Sequence, residues 1–498
     1  MDILVVTAEI APYSRSTSAA ETCSALPKAL RGLGHKVTVL SPLWASIDPG
    51  ARHLARRLLK IEVEVEGQKR AMPLFEGRSA GGVELAFLAE ETLFPRNAAP
   101  ADEGPETAAR WGAFARGTIE LIKKRETRPE VVHCVGWQTA ILPALMQSDP
   151  ALASIPTVLT IHDVASKGLY EKSALPVFGL DPSWWRIDGV EFYGKLSTLK
   201  TGVQTASRIA TPSPSYAREI TQSAGGLEGA LAARKDTLVG VLDGVDTSVW
   251  NSATDPWLEA RFDAMDVAGA GTYGKQRCKS AMQKEIGLPV RSDVPLISTL
   301  GIVSEASGEG MLADIGAKLL RNDVQLVVIA EPGSDPAIVS RFVQLAARWS
   351  DRIAVRHDAD QGMVHRVIGA SDLVLVPSPH DPSGARAMQA HRYGALPIAR
   401  RAGGIADAVV DCDAKLVSGT GFLWDEASGE AMLGAMQRAI SAFAQAPQFR
   451  AMQHRVMTID HSWDRSARLY DRLYRSAAGP AAPPPREDAG SSASEART

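Results

Sequence analysis

The sequence predicts an α/β protein made of two doubly wound, Rossmann-like domains with a cleft between them. Three observations carry this. Short apolar strands alternate with helical patterns along nearly all of the 498 residues. The strands recur roughly every 25–40 residues, room for one helix between neighbours, which is the signature of parallel sheets covered on both faces. The alternation occurs twice, before and after Asp243-Gly244-Val245-Asp246, whose turn chemistry suits a hinge.

The first-half strands are expected at Ile3–Thr7, Val37–Leu40, Val131–His133 and Thr157–Ile161. Those of the second half are Leu296–Leu300, Gln325–Ile329, Ile353–Val355 and Leu373–Val376. Each is a short apolar run bounded by polar or turn residues. Residues 1–245 are therefore read as one domain and 246–455 as the second. Arg261–Gly274, rich in Ala, Gly and Asp, reads as a helix end plus loop. Residues 456–476 form a last amphipathic helix with Trp463, Leu469, Tyr470, Leu473 and Tyr474 on its apolar side, expected to cross back onto the first domain. The tail, 477–498, is Pro, Ala, Ser and charge, a composition that cannot bury a core and is expected to be disordered.

A chain this long exceeds one ordinary domain. Hydrophobic content of 45% and charged content of 22% are globular values. A net charge of −3 gives no reason to expect nucleic acid as a partner. Cys23, Cys134, Cys278 and Cys412 lie far apart, with no C-x-x-C pair to suggest a metal knuckle or disulfide framework. The chain starts directly with a strand, so no secretory leader is expected, and no run of about 18 apolar residues predicts a membrane span. The expectation is a cytoplasmic protein without membrane partners; a homo-oligomer is left open.

The most informative stretch runs from His380 to Asp407. An apolar strand leads into the acidic loop Asp381-Pro382-Ser383-Gly384, then a helix, a short strand, and the turn Arg400-Arg401-Ala402-Gly403-Gly404. Acidic side chains just after a parallel strand sit where open α/β sheets bind ligands. Glycines at a helix start expose N–H groups that can hold phosphate. The order resembles the nucleotide-sugar half of glycogen and starch synthases, with its E-P-C-G-L-x-Q, R-Y-G and R-R-T-G-G pattern. Here Asp381 stands for Glu, Ser383 for Cys, Ala387 for Gln and Ala402 for Thr. Glu191 to Gly202, Ala210 to Ile220 and Leu242 to Asn251 extend the resemblance, which runs from Met1 to about Arg475. It implies the GT-B fold. It also implies retaining glucosyl transfer from ADP-glucose or UDP-glucose to the non-reducing end of an α-1,4-glucan acceptor, with no metal and no cofactor.

The resemblance also assigns sites. His162, in T-I-H-D-V-A-S-K-G, ends a strand and would border the reacting sugar, and Asp381 would contact the donor glucose; these are the catalytic candidates. Arg15 replaces the Lys of a K-T-G-G-L loop whose glycines are here Thr17 and Ser18, while Ser and Thr still suit a helix cap. Lys167 replaces a Gln, and Arg386 is a new cation one turn into the helix after the acidic loop. With Gly384, Gly403 and Gly404, these three cations form the expected substrate-binding set. Where the family grips the diphosphate with Arg and Lys, this chain has Ile302 and Ser307, with Glu305 and Glu309 read as solvated loop and helix-start residues. In D-V-V-H-A-H-D-W-H the Asp and last His become Gly136 and Gln138, and His133 reads as a core residue. Such losses also admit a catalytically weakened paralogue or pseudoenzyme that binds glucan, nucleotide or a partner synthase. A transferase for another nucleotide sugar is a third reading.

Overall fold

The computed structural model describes residues 1–96, 99–269, 273–357 and 359–479. Its larger sheet runs, in spatial order, Leu238–Gly240, Arg208–Thr211, Thr157–Thr160, Val131–Val135, Asp2–Val6, Lys36–Leu43 and Glu84–Ala89, all parallel. Leu74–Arg78 and Ala55–Arg56 add an antiparallel edge. The second sheet has six parallel strands: Ile353–His357, Gln325–Ala330, Leu296–Gly301, Leu373–Val376, Leu396–Arg400 and Phe422–Trp424. The predicted α/β class is correct. The antiparallel edge was not foreseen, because Leu74-Phe75-Glu76-Gly77-Arg78 lacks both a continuous apolar run and strict alternation.

Central strands are near-continuous apolar runs, as burial on both faces demands. Ile3, Leu4, Val6, Val131 and Val132 are fully buried in one core, and Leu326 and Val328 in the other. In each sheet the strand order reverses beside the first strand of that half, Asp2–Val6 or Leu296–Gly301. Ligand crevices open at such switch points, beyond the C-terminal ends of the strands.

The chain passes between the halves where Leu238–Gly240 ends. The Val245 N–H donates to the His461 carbonyl at 2.7 Å. A Cβ on Gly244 would lie 2.8 Å from the Trp463 nitrogen, so only glycine allows this crossing of two backbones. The helix Trp463–Ala478 places Trp463, Ala467, Tyr470, Leu473 and Tyr474 in the core of residues 1–245. Tyr474 reaches His133 Nδ1 at 2.9 Å, and His133 Nε2 lies 2.6 Å from Thr160 Oγ1, so His133 is a core residue. Ala477 and Ala478 close that helix rather than opening the tail, and the expected disorder beyond residue 479 lies outside the described residues. Within Arg261–Gly274 a short helix, Ala264–Ala268, starts from an Asp263–Asp266 capping box.

Candidate active site

The two sheets turn the C-terminal ends of their strands towards one cleft, and the loops there meet directly. Ser213 Oγ donates to the Pro382 carbonyl at 2.7 Å. The N–H and hydroxyl of Ser215 both donate to the Asp407 carboxylate, at 2.7 and 2.9 Å. Glu219, from the same helix Pro214–Ile220, accepts the N–H of Gly403 at 2.8 Å.

His162 follows the strand Thr157–Thr160 on the first-domain side. It is buried, and among the described residues neither ring nitrogen has a hydrogen-bond partner. Burial drives its pKa down to about 4, so the ring is a neutral imidazole at pH 7. A buried polar group without a partner costs free energy, so its retention marks a place where a ligand group can complete it. Two residues on, the Val164 N–H donates to Tyr216 Oη at 3.0 Å, which ties the His162 loop to the helix that touches Pro382 and Gly403.

Asp381 is half-buried at the opposite lip. Its Oδ1 accepts the N–H of Gly384 at 2.8 Å and of Ser383 at 3.2 Å, which closes the loop just before the helix Ala385–Arg392. Desolvation raises its pKa, and those two N–H groups act against the rise. The shorter Asp thus spends one oxygen on its own loop. Gly403 and Gly404 pack against this loop, and its own Gly384 packs against Gly404. A Cβ on Gly404 would lie 2.1 Å from the Ser383 carbonyl carbon, and one on Gly403 2.2 Å from the Asp381 carbonyl oxygen. The glycines are required for close backbone approach. The Gly404 N–H donates to the Asp381 carbonyl at 2.8 Å. Both N–H groups read from the sequence as a phosphate seat are engaged within the protein.

The structure gathers two of the three candidate cations. Arg386 lies within electrostatic reach of Arg15, Glu21, Glu331 and Asp381. Burial lowers its pKa, the three carboxylates oppose this, and Arg15 adds to it. Arg15 pairs with Glu21 at 3.0 Å. Lys167 stands apart, its ammonium donating to the carbonyls of Val164 and Ala165 at 2.9 and 3.2 Å.

Two acidic groups, Glu9 and Glu219, escaped the sequence reading, and a third, Glu309, is not where it was expected. Glu9, two residues beyond Thr7, is 3% exposed and accepts the N–H and hydroxyl groups of Ser16 and Thr17. The hydroxyls expected to cap the helix Ala19–Gly32 are thereby turned inward; Thr17 Oγ1 still accepts the Ala19 N–H at 3.2 Å. The rule that singled out Asp381 would also have found Glu9, an acid just past a parallel strand. Glu219 had no such signal, since Gly403 lies 184 residues away. Glu309, expected on the surface, is buried beneath the Ile302–Ser307 loop. Its Oε1 is 3.5 Å from Thr299 Oγ1, its Oε2 has no partner among the described residues, and burial raises its pKa to about 7. Ile302 is 44% exposed, and Ser307 Oγ donates to its carbonyl at 2.7 Å, so the loop is closed by its own serines.

A cavity of about 480 Å³ opens where the strands Gln325–Ala330 and Ile353–His357 end, lined by Glu331, Pro332, Gly333, Ser334 and His357. Glu331 connects it to Arg386.

Comparison with known proteins bears on this site. A family profile described as the starch synthase catalytic domain matches residues 2–233. A glycogen synthase of Anaeromyxobacter sp. (strain Fw109-5) is 37% identical over 489 residues, 96% of this chain and all of that protein. A glycogen synthase of Geotalea daltonii is 33% identical and covers 95% of this chain and 98% of its own. Among solved structures, the catalytic domain of starch synthase IV from Arabidopsis thaliana, bound to ADP and acarbose, superposes with a TM-score of 0.88. It is 27% identical and covers 96% of this chain and 99% of that one.

Proposed function

Because this chain belongs to the glycogen and starch synthase family of glucan-synthesising glycosyltransferases, we propose that it transfers glucose from ADP-glucose to the non-reducing end of an α-1,4-glucan with retention of configuration. UDP-glucose is the alternative donor. The adenine nucleotide is favoured because the starch synthase IV structure was solved with ADP. The observation that carries the reading is His162, a neutral, buried imidazole with neither nitrogen bonded among the described residues, set where the His162 and Asp381 loops are joined through Ser213 and the helix Pro214–Ile220.

Residues 246–455 would hold the donor and residues 1–245 the acceptor. The nucleoside would enter the Glu331–His357 cavity, whose Glu331 lies within electrostatic reach of Arg386. As the glucosyl bond breaks, negative charge grows on the leaving diphosphate. Arg386 and Arg15 are the cations poised to meet it, since positions 302 and 307 carry none. Arg can take two phosphate oxygens at once, a geometry Lys lacks. Asp381 and His162 would bracket the donor sugar, the imidazole acting as a hydrogen-bonding partner to its hydroxyls rather than as a cation. A diphosphate resting on Gly403 would displace the Glu219 carboxylate.

The relatives carry synthase names, which favours turnover over the non-catalytic reading. Incorporation of labelled glucose into glycogen by the purified chain tests this. The expected result is transfer from ADP-glucose in excess of UDP-glucose. No incorporation from either donor, with the protein folded, overturns the proposal.

A further inference from the structure

We propose that Tyr193, with Gly225 and Gly226 beside it, forms an acceptor subsite that stacks against the sugar rings of an α-glucan chain; this rests on the reading of residues 1–245 as the acceptor domain. Tyr193-Gly194 is the two-residue turn between the antiparallel strands Glu191–Phe192 and Lys195–Ser197. Both residues have positive φ, 48° and 80°. Such a turn prefers Asn or Asp before Gly, because their short polar side chains bond the local backbone and tolerate a positive φ that bulkier side chains avoid. A tyrosine here opposes the local preference, and it gains little burial in return, being 80% exposed.

The ring is nevertheless held. It meets Phe192 edge to face, with centroids 4.7 Å apart and planes at 83°. Its Cε2 lies 2.8 Å from where a Cβ on Gly226 would stand, so only a glycine can sit under it. Lys167 Nζ is 3.0 Å from the equivalent point on Gly225. The shelf therefore continues from the His162 loop, through Lys167 and the two glycines, to an anchored and largely bare aromatic ring.

The chemistry favours a neutral polyol. Glu228 accepts the N–H groups of Ala224 and Gly226, at 3.1 and 2.8 Å, which places a carboxylate where an anion would otherwise sit. An aromatic face takes the C–H side of a glucose ring, and the Lys167 ammonium is placed to meet its hydroxyls. A polymeric acceptor gains from such a contact beyond the reacting end, since holding the chain raises the effective concentration of its tip.

The test compares Tyr193→Asn, which suits the turn and removes the ring, with Tyr193→Phe, which keeps it. Retardation in glycogen-containing gels, acceptor KM, donor KM and melting temperature are measured on the full chain. Tyr193→Asn is expected to weaken glycogen binding and raise acceptor KM by about 2–10-fold. Donor KM and melting temperature should hold, and Tyr193→Phe should stay near wild type. Wild-type retention by Tyr193→Asn, equal losses in both variants, or a loss that tracks a lowered melting temperature overturns the proposal. Glycogen retention is read without turnover, so the two claims fail separately. A wild type that glycogen does not retain overturns the glucan reading itself.

Discussion

Asp243 offers a sharp physical test of the junction between the two halves. Its side chain is buried, Thr22 Oγ1 donates to Oδ2 at 2.8 Å, and Oδ1 has no partner among the described residues. With its charge so poorly compensated, burial lifts the carboxyl from 3.8 to about 8. In the folded state it keeps its proton, whereas the unfolded chain releases it near 3.8. Its contribution to stability is fully present below 3.8 and is lost as the pH rises towards about 8. At 1.36 kcal/mol per pH unit the loss between pH 5 and pH 8 is roughly 3–4 kcal/mol. Asn has the same shape, can accept the Thr22 hydroxyl, and carries no titrating group. Asp243→Asn should therefore be more stable than wild type, with an advantage that widens from pH 5 to pH 8. At about 2 °C per kcal/mol for a domain of this size, the widening is roughly 7 °C in melting temperature. Parallel thermal melts at pH 5, 6, 7 and 8, followed by circular dichroism, read this directly. A constant gap across the series, or a variant less stable at pH 8, refutes the reasoning.

Arg386→Ala should lower the transfer rate by about 10²-fold, the usual cost of one lost charge stabiliser, and adding Ile302→Arg with Ser307→Lys should restore part of it; an unchanged steady-state rate would remove Arg386 from the diphosphate site. Glu219→Gln replaces a charged acceptor at the Gly403 N–H with a neutral one, so ADP should bind about 5-fold more tightly by calorimetry. An unmoved Kd would place the diphosphate elsewhere. Because burial holds His162 near pKa 4, the ring stays neutral until the pH falls well below 6.5, and the acid limb of kcat/KM should lie below pH 5; a limb near 6.5 would exclude His162 as the controlling group.

The parts legible in the sequence are those whose cause is local. A short apolar run between turns must be a buried strand wherever it goes, so the central strands around Ile3 and Leu326 could be read from pattern alone. Leu74–Arg78 could not, because its pairing with Glu84–Ala89 decides its state and its own composition does not. At the site, Asp381 and His162 stood out because each comes just after the C-terminal end of an apolar strand. The partners that set their chemistry did not. What leaves both His162 nitrogens open, and what holds Gly403, depends on segments brought together only by folding.

The same distinction explains why a glycine pair misleads. From sequence, Gly403-Gly404 before a helix presents free N–H groups and suggests an anion. In the structure each glycine first answers a steric demand, since the Asp381–Gly384 backbone leaves no space for a Cβ at either position. Their N–H groups then find acceptors in Glu219 and the Asp381 carbonyl. The Ser16-Thr17 turn repeats the pattern with Glu9 as the acceptor. Two backbone turns that could face a diphosphate therefore already hold protein carboxylates, while Arg15 pairs with Glu21 and Arg386 lies within electrostatic reach of Glu331. A donor entering this cleft exchanges partners with carboxylates already in place. The energetic question at each contact is thus a difference between two anions, which is why charge-neutral substitutions such as Glu219→Gln report on the donor more cleanly than truncations that open space.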